Sequence, residues 1–119
     1  MAVRFETVKI YAEGFRAICL GVFRALGLTE QCAGEVTENL LFAEMRGTNS
    51  HGLTRLKQYT DRLGSGAIRA DAEPEIVNER GSALVVEGHH GMGAHIGTFA
   101  MRRTIVTCLN QHLRSRRCQ

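Results

Sequence analysis

Between Glu6 and Leu26, apolar residues return at helical spacing: Val8, Tyr11, Ala12, Phe15, Ile18, Cys19, Val22, Phe23 and Leu26 form one stripe. Gly27 closes that stripe, and Thr29 is placed to cap a second helix whose inner face is Ala33, Val36, Leu40 and Leu41, ending at Gly47. So short a connection predicts a helical hairpin. The spacing predicts a third helix starting at Ser50, with Leu53, Leu56, Thr60 and Leu63 on one side and a stop at Gly64-Ser65-Gly66. The period then changes. After Pro74, the segment EIVNERGSALVVEG places two short β-branched or apolar runs on either side of Arg80-Gly81-Ser82, the pattern of a hairpin or of two adjacent strands. A last helix follows the glycine-rich EGHHGMGAHIG from about Ala94, with Ile96, Phe99, Ala100, Ile105, Val106 and Leu109 inward. The outline is α/β in the α+β sense: a helical segment with a small β element, without internal repeat or low-complexity linker.

Composition narrows this further. The 119 residues are enough for one core, and 44% hydrophobic with 23% charged residues is the balance of an ordinary globular chain rather than a disordered or fibrous one. No apolar run reaches the length needed to cross a bilayer, and Glu6 and Lys9 interrupt the N-terminus before a secretory signal could form, so no membrane role and a cytoplasmic setting are expected. Cys19, Cys32, Cys108 and Cys118 form no C-x-x-C pair and read as buried or idle thiols. The net charge of +3 is concentrated in residues 102–119, where Arg102, Arg103, Arg114, Arg116 and Arg117 stand without any acid, leaving the rest slightly acidic.

The candidate chemistry lies in AEMRGTNSHGLTRLKQY, Ala43 to Tyr59. With Ser50 as the cap of the third helix, His51 falls in its first turn, where free backbone N–H groups and the helix dipole disfavour an imidazolium. A neutral imidazole can take a proton from a hydroxyl or return one to a carbonyl during redox at the adjacent carbon. Arg55, one turn on, shares its face and offers a fork for a carboxylate. His51, Arg55, Gln58 and Arg62 lie opposite Leu53, Leu56 and Leu63. The same stripe also suits an amphipathic helix with no chemistry at all.

Arg46-Gly47, Ser50-His51-Gly52, Arg55, Tyr59, Gly66, the strand-ending Glu87-Gly88 and Gly91-x-Gly93 follow one another in an order that resembles the N-terminal part of the malate/L-lactate dehydrogenase family. That group comprises non-Rossmann NAD(P)-dependent oxidoreductases, including ureidoglycolate, sulfolactate and diketogulonate-type enzymes and a cyclic imino acid reductase. The resemblance covers roughly Thr37 to Arg103. It implies the family's dehydrogenase fold, NAD or NADP as cofactor, a 2-hydroxy or 2-oxo acid as substrate, and a homodimer in the full-length form. It implies His51 as the catalytic acid/base, with Ser50 and Arg55 binding substrate. The nicotinamide cofactor is held in that family mostly by a domain encoded further along, so the chain is expected to be an N-terminal fragment, inactive alone. Two departures stand out: Glu87 replaces the usual aspartate, and after about Thr104 the chain reads TIVTCLNQHLRSRRCQ instead of continuing the family pattern. The division is therefore residues 1–103 as the family-like part and 104–119 as a divergent basic tail.

The glycines of GHHGMGAHIG lack the Gly-x-Gly-x-x-Gly spacing and the later acid of a dinucleotide fingerprint, and serve better as a tight strand-to-helix turn. Near His89, His90 and His95 no cysteine or carboxylate completes a metal set, so no metal is expected. The competing class is a non-enzymatic helical module whose arginine tail binds a partner or nucleic acid. Arginines without interleaved aromatics support that weakly.

Overall fold

Thr29 turns its hydroxyl onto the amide of Cys32, 3.2 Å away, and so starts the second helix where the sequence places it. The computed structural model describes residues 8–117, with side chains to residue 112. Its elements in chain order are α1 (Ala12–Ala25), α2 (Glu30–Met45), a 3₁₀ turn (Asn49–His51), α3 (Thr54–Gly64), β1 (Glu75–Arg80), β2 (Ala83–Glu87) and α4 (Gly93–Arg117).

Both helices of the N-terminal hairpin end in the same way. Gly27, at φ 89°, donates to Arg24 O while Leu28 N reaches back to Phe23 O; Gly47, at φ 73°, donates to Glu44 O while Thr48 N reaches Ala43 O. These paired bonds satisfy the last carbonyls of each helix and need a left-handed residue that glycine adopts at little cost. Leu28, just past the first of these turns, is buried.

The core lies between α1 and α2. Phe15, Cys19 and Phe23, four residues apart, pack with Cys32, Ala33, Val36, Leu40 and Leu41; Leu28 and Met92 complete the cluster. Burying a side chain such as Phe23 stabilises by about 1.5–3 kcal/mol. Leu56, Tyr59 and Leu63 of α3, with Ile68 and Ala70 beyond it, lean on this cluster half-buried. Arg16 with Glu38, and Arg24 with Glu30, bridge the hairpin at the surface; such exposed pairs contribute little.

The first helix is shorter than its sequence pattern. Glu6 lies outside the described residues, and Val8 to Tyr11 are not helical: Tyr11 is extended at φ −71°, ψ 149° and is 87% exposed. Val8 and Ile18 are exposed as well. The stripe is wider than the contact α2 provides, so only its centre is buried.

β1 and β2 pair antiparallel through the two-residue Gly81-Ser82 turn, with Gly81 at φ 57° as a tight hairpin requires. Val77 is an extra residue between the Ile76–Val86 and Asn78–Val85 pairs and bulges outward. Leu84 and Val86 are the half-buried residues of β2, the strand that packs on α4. Gly88 lets the hairpin close on it, since a Cβ there would lie 2.5 Å from Ile96 Cδ1.

α4 runs without a break across residues 103 and 104. Ile96, Phe99 and Ala100 are half-buried as expected, but Ile105, Val106 and Leu109 are at least half exposed, with Met101, because the small body ends before the helix does. No described helix is long and apolar enough to cross a membrane.

Cys19 and Cys32 are buried and Cys108 is exposed, while Cys118 lies outside the described residues. Burial pushes the Cys19 and Cys32 thiols up to about 11. At mildly alkaline pH, iodoacetamide should therefore modify Cys108 and spare Cys19 and Cys32 until denaturant is added, as peptide mapping by mass spectrometry would record. Labelling of Cys19 in the native protein at the rate of Cys108 would contradict this core.

Candidate active site

The turn after α2 is tighter than a simple helix start. His51 N donates to Thr48 O at 2.9 Å and Gly52 N to Asn49 O at 3.1 Å, which makes Asn49–His51 a separate 3₁₀ turn. Gly52, at φ −96° and ψ −132°, then breaks the helical path, and α3 begins only at Thr54. Ser50 accordingly does not cap α3. Glu44 does that work from α2: its Oε1 accepts from Leu53 N at 2.6 Å, while the Thr54 hydroxyl donates to Asn49 O at 2.7 Å. His51 thus stands on the preceding turn and not in the first turn of α3, away from the helix-start position that the spacing assigns it.

Ser50 nevertheless connects the three predicted residues. Its Oγ lies 3.0 Å from His51 Nδ1, and its carbonyl accepts from Arg55 Nε at 2.9 Å. Arg55 Nη1 donates to Gln58 Oε1 at 2.6 Å, so the guanidinium is held at two points. Gln58, on the polar stripe in sequence but given no role there, is thereby a neighbour of the site. Arg55 is half-buried and His51 is exposed. An open depression of about 720 Å³ is lined by Ser50, Arg55, Gln58 and Arg62, with Thr54, Lys57 and Asp61 around them; His51 is not among its lining residues. Lys57 and Asp61 pair with each other at 2.6 Å, which leaves Arg55 and Arg62 to set a positive local charge. The depression suits an anion.

A second constellation has no local signature in the sequence, because Glu35 is separated from His95 by 60 positions and from Arg102 by 67. His95, at the start of α4 and only 5% exposed, places Nδ1 2.6 Å from Glu35 Oε2 on α2, and Arg102 Nη1 donates to Glu35 Oε1 at 2.8 Å. His95 Nε2 lies 3.8 Å from Glu73 Oε2 and makes no hydrogen bond. This staple docks α4 onto the hairpin. Burial works to raise the Glu35 carboxyl, but the hydrogen bond to His95, with help from Gln31 and Arg102, prevails and holds it below the usual carboxylate range.

At Gly88 and Gly91 the glycine-rich turn between β2 and α4 is packed by protein. A Cβ at Gly91 would lie 3.0 Å from Ala72 Cβ, as one at Gly88 would meet Ile96. Gly91 N donates to Gly88 O and His89 N to Glu87 Oε1, and the left-handed positions are His89 (φ 49°) and His90 (φ 62°) rather than glycines. His90 O accepts from Arg69 N, which ties the turn to the chain after α3. Close approach at Gly88 and Gly91 serves packing within the chain, while Gly93 and Gly97 stand open.

A family model described as malate/L-lactate dehydrogenase matches residues 10–111. The chain belongs to that family. Among curated proteins, this malate/L-lactate dehydrogenase-family chain is 35% identical over 98 residues to a malate dehydrogenase of Pyrococcus abyssi, covering 82% of the chain and 27% of the relative. It is 32% identical over 105 residues to an L-sulfolactate dehydrogenase of Methanothermobacter thermautotrophicus, covering 88% and 28%. Its structure is similar to malate dehydrogenase from Pyrococcus horikoshii (TM-score 0.83, 28% identity, 87% of this chain and 30% of that one). It is also similar to malate dehydrogenase from Entamoeba histolytica (TM-score 0.84, 29% identity, 88% and 29%). The chain thus spans less than a third of the length of these relatives, and the α+β architecture is the family's own over that span.

Because the Glu35 carboxyl is depressed in the folded chain, its contribution is full above the unfolded carboxylate value near 4.5 and is lost as pH falls through the folded value. Urea unfolding followed by circular dichroism from neutral pH down to pH ~3 should show the midpoint falling on acidification. Glu35→Gln should flatten that dependence and lower the neutral-pH stability by about 1–3 kcal/mol. An unchanged pH dependence in the variant would remove the staple from the account.

Proposed function

We propose that this chain supplies the substrate-binding and proton-transfer side of an oxidoreductase that moves hydride between NAD or NADP and a 2-hydroxy acid or its 2-oxo counterpart, in the class of malate, lactate and sulfolactate. The observation that carries the reading is the single turn on which Ser50 lies within 3.0 Å of His51 Nδ1 and accepts from Arg55. It is supported by membership of the malate/L-lactate dehydrogenase family.

In this reading the substrate carboxylate settles against Arg55. Since Nε and one Nη1 hydrogen are engaged by Ser50 and Gln58, the end-on pair of Nη1 and Nη2 makes the two parallel bonds. Arg62 adds positive charge at the rim of the same depression. The Ser50 hydroxyl, beside the imidazole, bonds the substrate oxygen that changes from alcohol to carbonyl. His51 accepts the hydroxyl proton on oxidation and returns it on reduction. A nicotinamide cofactor supplies the hydride chemistry in such enzymes. We assign no described residue to holding it: Ala72 and Ile96 take the space beside Gly91 and Gly88. The 119 residues alone are therefore expected to bind the acid and not to turn it over.

Two measurements test this. Oxamate, an unreactive stand-in for a 2-oxo acid, should shift the Ser50, His51 and Arg55 signals in nuclear magnetic resonance spectra of the chain, with Arg55→Lys weakening the effect roughly tenfold by loss of the fork. Mixing the chain with NADH and a panel of 2-oxo acids should leave the NADH absorbance constant. Shifts confined to other regions would remove the substrate site, and steady NADH consumption would overturn the division of labour.

A further inference from the structure

Glu44 is an acid in the wrong half of its helix. It sits in the last turn of α2, a turn without any basic residue, where the helix dipole disfavours negative charge. Its carboxylate leaves α2 and meets the beginning of the next helix: Oε1 accepts from Leu53 N at 2.6 Å, immediately before α3, where the dipole favours an anion. The same side chain lies over Gly52, filling the space a Cβ would need. Gly52 is buried although its neighbours His51 and Leu53 are exposed, and no other residue type fits beneath Glu44 without displacing it. Glu44 also lines a groove of about 480 Å³ with Lys9 and the apolar Val8, Ile10, Phe15, Leu41 and Leu53.

Between these contacts runs the turn that carries Ser50 and His51. One end is fixed by the Gly47 ending of α2, whose Thr48 amide bonds Ala43 O. The other is fixed by Glu44. Both ends of the 3₁₀ turn are thus held, and the Ser50 carbonyl accepts from Arg55. We propose that Glu44 is a positioning residue for the candidate active site: through Leu53 N and Gly52 it sets the direction in which Ser50 and His51 face. This rests on the function proposed above for those two residues. Glu44 touches no reacting atom in this arrangement; it acts through the backbone of residues 52 and 53.

The test uses the full 119-residue chain and three variants. Glu44→Ala removes the acceptor. Glu44→Gln keeps an oxygen at the same reach, and Gly52→Ala leaves Glu44 in sequence while adding the Cβ that must push it away. In amide spectra, Glu44→Ala and Gly52→Ala should both move the Leu53 amide and the Ser50 and His51 signals, leaving those of Phe23 and Leu40 in place, whereas Glu44→Gln should leave the turn near its wild-type positions. Oxamate affinity should fall about tenfold in the first two and about twofold or less in Glu44→Gln, in proportion to the charge-assisted bond lost. Unmoved Ser50 and His51 signals in Glu44→Ala would overturn the proposal, as would unchanged oxamate affinity in that variant when the wild type binds. A wild-type chain that ignores oxamate sinks the proposed function instead, while the amide signals still decide whether Glu44 holds the turn. Loss of the Phe23 and Leu40 signals in Glu44→Ala would mark general unfolding; Gly52→Ala, with α2 unaltered, then decides by the same criterion.

Discussion

The contact between α1 and α2 is the constraint from which the rest of the chain hangs. Phe15, Cys19 and Phe23 meet Ala33, Val36, Leu40 and Leu41 in a region where, among the described residues, the largest side chains are fully covered. Everything later borrows from that surface. α3 adds Leu56, Tyr59 and Leu63 at its margin, and Met92 anchors the entrance to α4 in it. No second core of comparable depth appears among the described residues, so the placement of the candidate site depends on how faithfully the end of α2 is held. The glycine endings at residues 27 and 47 convert that packing into fixed exit directions, because each ties two backbone bonds to a single left-handed residue.

Much of this was legible in the residues. Thr29, Gly27 and Gly47 marked helix boundaries by local backbone chemistry, and Gly81 marked the hairpin, since each depends on one residue's conformational preference and not on distant partners. What the sequence could not disclose was depth. Val8, Ile18, Ile105, Val106 and Leu109 satisfy helical periodicity as well as Phe23 does, yet periodicity records only which residues share a face. Whether anything covers that face is a property of the whole arrangement, and here the body is too small to reach them.

The candidate site divides in the same manner. Spacing put His51 and Arg55 on one face and the family resemblance added Ser50, whose atoms touch both of the others. The start of α3 did not follow from spacing, because Gly52 bends the path and the capping group comes from Glu44, nine residues earlier. A capping residue three positions away has a local signature; one borrowed from the preceding helix has none. The Glu35–His95 pair was hidden for the same reason, and it accounts for a histidine that in sequence looked like one of a loose cluster with His89 and His90. Those two take left-handed backbone conformations that a glycine-rich neighbourhood would lead one to assign to the glycines, and they do so where the chain is stitched to residues 69 and 72.

The bulge at Val77 has a reach beyond the hairpin. By inserting one residue it reverses the parity of β1, so that past it Glu79 pairs with Leu84 and its carboxylate accepts from the Thr107 hydroxyl, 3.3 Å away on α4. A run that begins with Ile76 toward the body thus finishes with a carboxylate toward the helix. Water competes for such a contact as it does not for hydrocarbon, and the outer turns of α4 are moored by it rather than welded. The long helix is therefore clamped firmly at its root, where Met92 and His95 are buried, and among the described side chains its root is where it is most deeply held.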